Sequence, residues 1–93
     1  MTEKQFFSEL AKVKKGFGFW CKKCHRIREG SHCPITKVCL EITGKNFPAN
    51  HFPDAADAMG LDRELAYEIA HGADYKHEKK RKKILKALGL KEE

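Results

Sequence analysis

The stretch CKKCHRIREGSHCPITKVC, residues 21–39, contains all four cysteines of this 93-residue chain. A domain this short buries a smaller fraction of its surface than a larger domain does, so a bound metal is a plausible source of stability. The first residues, MTEKQ, contain no apolar run of the signal-peptide type, and we expect a cytoplasmic protein. Cytosolic thiols are kept reduced, so clustered cysteines favour a metal site, and zinc first, over disulfides.

The spacing of the cysteines indicates which side chains bind the metal. Structural zinc takes four thiolate or imidazole ligands in a tetrahedron, and two cysteines separated by two residues at a hairpin turn suit it well. Cys33 and Cys39 are six residues apart, about 600° around an ideal helix, so they do not share one helical face. The predicted zinc ligands are Cys21, Cys24, Cys33 and Cys39, with His32 or His25 as substitute ligands.

Three other interpretations of the cluster remain open. In the first, Cys39, with or without Cys33, is a small buried apolar residue and the CxxC is incidental, because free cysteine is among the most buried residue types. The sequence from Cys21 to His25 also has the form of a c-type haem attachment motif, although that chemistry requires export. The third interpretation is a dithiol redox site, because nearby cations lower the pKa of a thiol and so favour the reactive thiolate.

Local signals predict a mostly α-helical fold with a small β-hairpin (α+β), in a single domain spanning residues 1–93. A capping box at Thr2–Gln5 and apolar residues at helical spacing predict a helix over 3–15, before Gly16. The aromatic run 17–20 and the segment 25–28 predict two strands whose turn carries the CxxC, before Gly30. Residues 1–44 thus hold a helix, the hairpin, a second helix and the candidate zinc site.

Residues 45–93 are predicted to be a helical segment with a basic last helix. The second helix, which precedes this segment, should begin at Pro34 and end before Gly44, because proline favours the first helical position. Its apolar face should comprise Ile35, Val38, Cys39 and Ile42. After a loop over 45–53, helical elements are expected at 54–59, 62–71 and 75–88, with breaks at Gly60 and Gly72 and with Leu90 folding back after Gly89.

The net charge of +6 is unevenly distributed. Residues 1–51 carry a charge of +6, residues 52–74 carry −5, and residues 75–93 carry +5. A polyanion should therefore bind the ends of the chain and avoid its middle. The residues predicted to contact nucleic-acid phosphates are Lys79, Lys80, Arg81, Lys82 and Lys83 near the carboxyl end, and Lys22, Lys23, Arg26 and Arg28 in the hairpin, with Phe17, Phe19 or Trp20 stacking on an unpaired base.

The segment Asp54–Leu90 resembles the later helices of Cro- and repressor-like DNA-binding domains. The resemblance rests on Ala56, the turn glycine Gly60 and the apolar residues Leu61, Ala66 and Ile69 around it. It implies that the helix after Gly60 enters the major groove. That helix exposes Asp62, Glu64 and Glu68, whose carboxylates repel phosphate, so we expect a structural helix pair instead.

A broader resemblance covers more of the chain. Trp20, the strand 26–28, the helix start 33–36, residues 56–61 and 69–74, and the closing Leu88-Gly89-Leu90 look like small phage-borne and prophage-like proteins of unknown function. The CxxC is not among the shared features, so zinc would be particular to this chain. The resemblance implies an architecture without an activity.

The sequence favours a small, zinc-stabilised, non-enzymatic binding module associated with nucleic acid. Its five histidines are scattered over separate elements, and no catalytic set stands at a spacing that fixes geometry. The alternative is a protein–protein adaptor that binds a partner through charge complementarity. No membrane partner is expected, because the chain lacks an apolar run of about 18 residues.

Overall fold

Five α-helices and one antiparallel hairpin form the part of the chain that the computed structural model describes, residues 1–14, 17–28, 33–74 and 77–90. This confirms the predicted mostly helical fold with a small hairpin. None of the helices within these ranges is long and apolar enough to cross a membrane. In chain order the elements are α1 (Glu3–Lys12), β1 (Phe19–Cys21), β2 (Arg26–Arg28), α2 (Pro34–Thr43), a 3-10 turn (Ala49–His51), α3 (Phe52–Met59), α4 (Arg63–Asp74) and α5 (Glu78–Leu88).

The predicted capping box is present at the start of α1. The Gln5 backbone N–H donates to Thr2 Oγ1 at 3.1 Å, and the Thr2 N–H donates to Gln5 Oε1 at 2.8 Å. The helix ends at Lys12 rather than at 15, because the Val13 N–H is shared between the carbonyls of Glu9 and Leu10, which tightens the last turn. The predicted breaks at Gly16 and Gly30 and the helix start at Tyr75 lie outside the described residues.

Glycines end three of the helices, as the sequence predicts. Gly44, Gly60 and Gly89 have φ angles of 76°, 68° and 67°, in the left-handed region where glycine carries no steric penalty. The Leu90 N–H then donates to the Leu85 carbonyl at 3.1 Å, and the Leu90 side chain packs on the core. The glycines in the sequence therefore predict these three helix ends correctly.

The core draws one or more side chains from every α-helix and from both strands. Trp20 on β1 and Ile27 on β2 are buried against the helices, as are Ile69 on α4 and Ile84 on α5. The prediction that Ile42 joins this core is wrong, because its side chain is 44% exposed. Residues 41–46 are all exposed, so the last turn of α2 extends past the core.

Gly72 does not break a helix but lies inside α4, which continues to Asp74. The residue is buried where α4 packs on α5. A Cβ at this position would lie 2.9 Å from Lys80 Cβ and 3.0 Å from the Arg81 backbone nitrogen. Glycine is required here by the close approach of the two helices, and the predicted break at position 72 is wrong for that reason.

Replacing Gly72 tests this contact. At an open helical site Gly→Ala stabilises by up to about 1 kcal/mol, through helix propensity. In Gly72→Ala the new methyl group meets α5, and we expect a net loss of about 1–3 kcal/mol in the free energy of unfolding, measured by urea denaturation.

The matched control is Ala58→Gly, at an exposed position of α3. Its free energy of unfolding should fall by about 1 kcal/mol, from the lower helix propensity of glycine alone. A Gly72→Ala variant more stable than the wild type would contradict the close-contact interpretation.

Candidate nucleic-acid interface

The two strands of the hairpin divide their side chains between the core and the solvent. The antiparallel register pairs Trp20 with Ile27, and both point inward. Because side chains alternate along a strand and paired residues share a face, the flanking residues lie on the opposite side. This outer hairpin face comprises Phe19, Cys21, Arg26 and Arg28, with the exposed Lys22, Lys23 and His25 in the turn.

Trp20 holds the hairpin against the helices. Its side chain is 1% exposed, and the guanidinium carbon of Arg81 lies 5.3 Å from the centroid of its ring. A cation over an indole ring is attracted by the ring's quadrupole. The indole therefore contributes to packing. Phe17 and Phe19 are both half-buried, and Phe17 packs against the core, whereas Phe19 lies on the outer face of the hairpin.

Cys21 and Cys24 lie close together at the hairpin turn. His25 closes the turn in the left-handed region, with a φ of 56°, and its N–H donates to the Cys21 carbonyl at 2.8 Å. A hydrogen bond from the Cys24 backbone N–H lowers the pKa of the Cys21 thiol, helped by a hydrogen bond with the Cys24 side chain and by the Arg28 charge. The turn thus favours the thiolate, the form that binds metal.

The other two cysteines lie in different surroundings. Cys33 precedes α2, and its carbonyl accepts a hydrogen bond from Thr36 Oγ1 at 3.0 Å. Cys39 is 0% exposed, with its sulfur 3.4 Å from Thr43 Oγ1, so it is a core residue. In the described ranges no three His, Cys, Asp or Glu side chains form a group that could hold a metal ion, and the substitute ligand His32 lies outside them.

The basic run at 79–83 is divided between structural and exposed side chains. Glu3 Oε1 accepts from Lys80 Nζ at 2.6 Å and from Lys83 Nζ at 2.7 Å, which joins α1 to α5. The Lys80 side chain is only 11% exposed, and Arg81 packs over Trp20. Lys79 and Lys82 are exposed, and Lys82 Nζ lies 3.5 Å from Glu78 Oε1, so the run is not one uniform phosphate-binding surface.

Glu3 was missed by sequence reasoning. It lies 77 residues from Lys80, so no local pattern connects them. The hydrogen bond from Lys80, then that from Lys83, lowers the pKa of the Glu3 carboxyl. The carboxylate therefore stabilises the folded state while it is charged, at any pH above the ordinary carboxyl pKa.

The helix pair α3–α4 presents an acidic surface. Arg63 Nε donates to Asp57 Oδ1 at 3.0 Å and to Asp57 Oδ2 at 3.2 Å, which holds the guanidinium across the turn and lowers the pKa of Asp57. Asp62 caps α4 by accepting from the Leu65 N–H at 3.0 Å. Tyr67, 45% exposed, packs edge-on against Phe52. With Arg63 held by Asp57, this surface offers carboxylates rather than a cation to a DNA groove.

The chain matches no protein-family model, no curated protein and no solved structure. The resemblances to phage-borne proteins and to repressor-like domains therefore stay predictions.

The Glu3 contacts predict a pH-dependent loss of stability. Glu3→Gln removes a charge shared by two lysines, and we expect the free energy of unfolding to fall by about 1 kcal/mol at neutral pH. Because the folded-state pKa of Glu3 is lowered, its contribution is present at neutral pH and disappears as the pH falls through that pKa. The two proteins should therefore converge in stability as the pH falls below the ordinary carboxyl pKa and through the lowered pKa of Glu3, in urea titrations repeated across pH.

Glu9→Gln is the matched control, because Glu9 pairs with Lys12 within α1 alone. Its cost should stay within about 0.5 kcal/mol at every pH. A Glu3→Gln difference that does not change with pH would contradict the ionic explanation.

Proposed function

We propose that the outer hairpin face binds the phosphate backbone of nucleic acid without sequence specificity. The observation that carries this proposal is the alternation of side chains along β2, which buries Ile27 and puts Arg26 and Arg28 together on the exposed face. Residues 17–28 contain these two arginines and two lysines, and no Asp or Glu. Phosphate neutralisation by Lys and Arg supplies most of non-specific nucleic-acid affinity.

The cations of this face suit phosphate contacts in geometry as well as in charge. Among the described residues, no carboxylate forms an ion pair with Lys23, Arg26 or Arg28. An arginine fork can donate two parallel hydrogen bonds to one phosphate. Phe19 is half-buried on the same face, and stacking of an unpaired base on its ring would favour a single strand as the ligand.

The helix α5 contributes less to this proposal than its sequence suggests. Lys80 and Arg81 are occupied by Glu3 and Trp20, so their replacement would disturb the fold together with any binding. The exposed Lys79 and Lys82 extend the basic character of the molecule outside the hairpin. The hairpin arginines are therefore the sharper test of function.

The double variant Arg26→Gln/Arg28→Gln tests the proposal. Both side chains are exposed, so stability should change by less than about 1 kcal/mol while affinity for a fluorescein-labelled oligothymidine falls. The slope of log K against log salt should become shallower by about 0.7 for each phosphate of the single strand that the variant no longer neutralises. Fluorescence anisotropy over about 0.05 to 0.2 M salt measures both quantities.

The matched control removes two charges from elsewhere, in Lys12→Gln/Lys45→Gln, at exposed positions of α1 and of the loop after α2. In this control the slope of log K against log salt should stay close to the wild-type value. Equal effects of the two double variants would show that net charge and not the hairpin governs binding, and unchanged binding in the arginine variant would remove the hairpin from the proposal.

We further propose that zinc binds at the turn through Cys21 and Cys24. The described residues fit this half of a tetrahedral site, because the two thiols are adjacent and the turn favours the thiolate of Cys21. Cys39 fits poorly, because it is buried and hydrogen-bonded to Thr43. We propose that the remaining ligands come from His32 and Cys33, although in the described structure Cys33 does not form a three-ligand group with the turn thiols. Bound zinc would supply a cross-link between the turn and the start of α2.

Zinc content distinguishes the ligand sets. We expect about one zinc per chain in wild type, loss of metal in Cys21→Ser, and retained metal in Cys39→Ala, measured by atomic absorption after dialysis. An absorption spectrum of the same sample separates zinc from haem. Equal zinc in Cys21→Ser and wild type would contradict the site, while metal loss in Cys39→Ala, with the protein still folded by circular dichroism, would restore the four-cysteine set.

A further inference from the structure

A groove of about 640 Å³ runs between α1 and α5, on a part of the molecule separate from the hairpin. Its floor is apolar and its edges are charged. The volume lies in the range of known ligand sites, but the groove is open along its length and is not an enclosed pocket. The floor residues are Phe7, Ala11 and Ala87, and the edges carry Glu3, Lys4, Lys83 and Lys86.

The sequence creates this groove by placing small residues beside a bulky one. Phe6 and Leu10 enter the core from α1, so Phe7 is left half-buried beside Phe6, with their ring centroids 5.5 Å apart. Ala11 and Ala87 are too short to fill the space between their helices. An apolar strip therefore remains on the surface, at a place where a further helix would complete the packing.

The charge at the edges of the groove is positive. Among the described residues that line it, the one carboxylate is Glu3, which is already engaged by Lys80 at 2.6 Å and by Lys83 at 2.7 Å. Lys4 and Lys86 are exposed, one on each helix, and no carboxylate of the described residues pairs with either. A partner for this groove should therefore combine an apolar stripe with negative charges on both sides of it.

We propose that the α1–α5 groove binds an acidic amphipathic helix of a partner protein. Apolar side chains of that helix at positions i, i+4 and i+7 would lie on Phe7, Ala11 and Ala87, and its flanking carboxylates would meet Lys4 and Lys86. Charge complementarity selects this occupant over a basic segment. The apolar floor favours an amphipathic helix over nucleic acid, because phosphates form no favourable contact with the alanine and phenylalanine side chains of the floor.

The probe is a fluorescein-labelled synthetic peptide of about 18 residues, with Leu at helical spacing and Glu on the flanks. Fluorescence anisotropy should show saturable binding to the wild-type chain. A peptide of the same composition with the apolar stripe scrambled should bind at least about tenfold more weakly, because the groove contacts one face of a helix.

Two variants locate the site. Ala11→Trp fills the floor, and Lys4→Glu/Lys86→Glu reverses the edge charges; each should weaken peptide binding at least about tenfold. Their matched controls are Ala58→Trp, on the exposed side of α3, and Lys12→Glu/Lys45→Glu, with the same change in net charge. Lys4→Arg/Lys86→Arg should bind like wild type. Circular dichroism checks that every variant is folded.

Several results would overturn the proposal. If the scrambled peptide binds equally well, or if the Lys12→Glu/Lys45→Glu control loses as much peptide affinity, net charge and not the groove explains the binding. Binding of oleate or of an oligothymidine that Ala11→Trp abolishes, with no peptide binding, would assign the groove to a different ligand class. The inference does not depend on the hairpin, so Arg26→Gln/Arg28→Gln should leave peptide binding unchanged.

Discussion

The close contact of Gly72 with α5 fixes the arrangement on which both basic surfaces depend. The backbone of Lys80 and Arg81 lies against this glycine, and the side chains of the same two residues extend in different directions. Lys80 reaches Glu3 on α1, and Arg81 covers Trp20 in the hairpin. A methyl group at position 72 would displace the two residues that tie α5 to α1 and to the hairpin, so its effect should reach all three elements.

This arrangement gives different roles to neighbouring cations. Lys80 is largely buried beside a carboxylate, where its charge stabilises the fold. Arg26 and Arg28 are exposed on an outer face whose described residues include no acid, and we propose that their charges bind a ligand. The distinction matters because an exposed ion pair contributes little to stability, whereas an array of exposed cations raises affinity for polyanions with each phosphate it neutralises.

Three surfaces of the molecule differ in charge, and the ligands that we propose for them differ accordingly. The outer hairpin face is cationic and carries an aromatic ring, which favours phosphate and unpaired bases. The α1–α5 groove is cationic over an apolar floor, which favours an acidic amphipathic helix. The α3–α4 surface is acidic, with Arg63 held by Asp57, and carboxylates repel phosphate. A polyanion would therefore approach the molecule with a defined orientation.

The sequence alone determined those features that depend on residues close in the chain. The capping box at Thr2, the hairpin at the CxxC and the helix ends at Gly44, Gly60 and Gly89 were predictable, because caps and turns are set by contacts within three to five residues. The proximity of Cys21 and Cys24 belongs to the same class.

Tertiary structure decided the features that depend on distant residues. Gly72 has the local sequence context of a helix break, yet packing against Lys80 makes it a close-contact glycine inside α4. Ile42 keeps the helical spacing of a core residue, yet it is exposed because α2 extends past the core. Cys39 is buried in the core and does not form a metal-binding group with the turn thiols. Glu3 accepts hydrogen bonds from Lys80 and Lys83, which are 77 and 80 residues away in the chain. A local pattern specifies which backbone conformation is favourable, whereas burial and ion pairing depend on which elements meet in space.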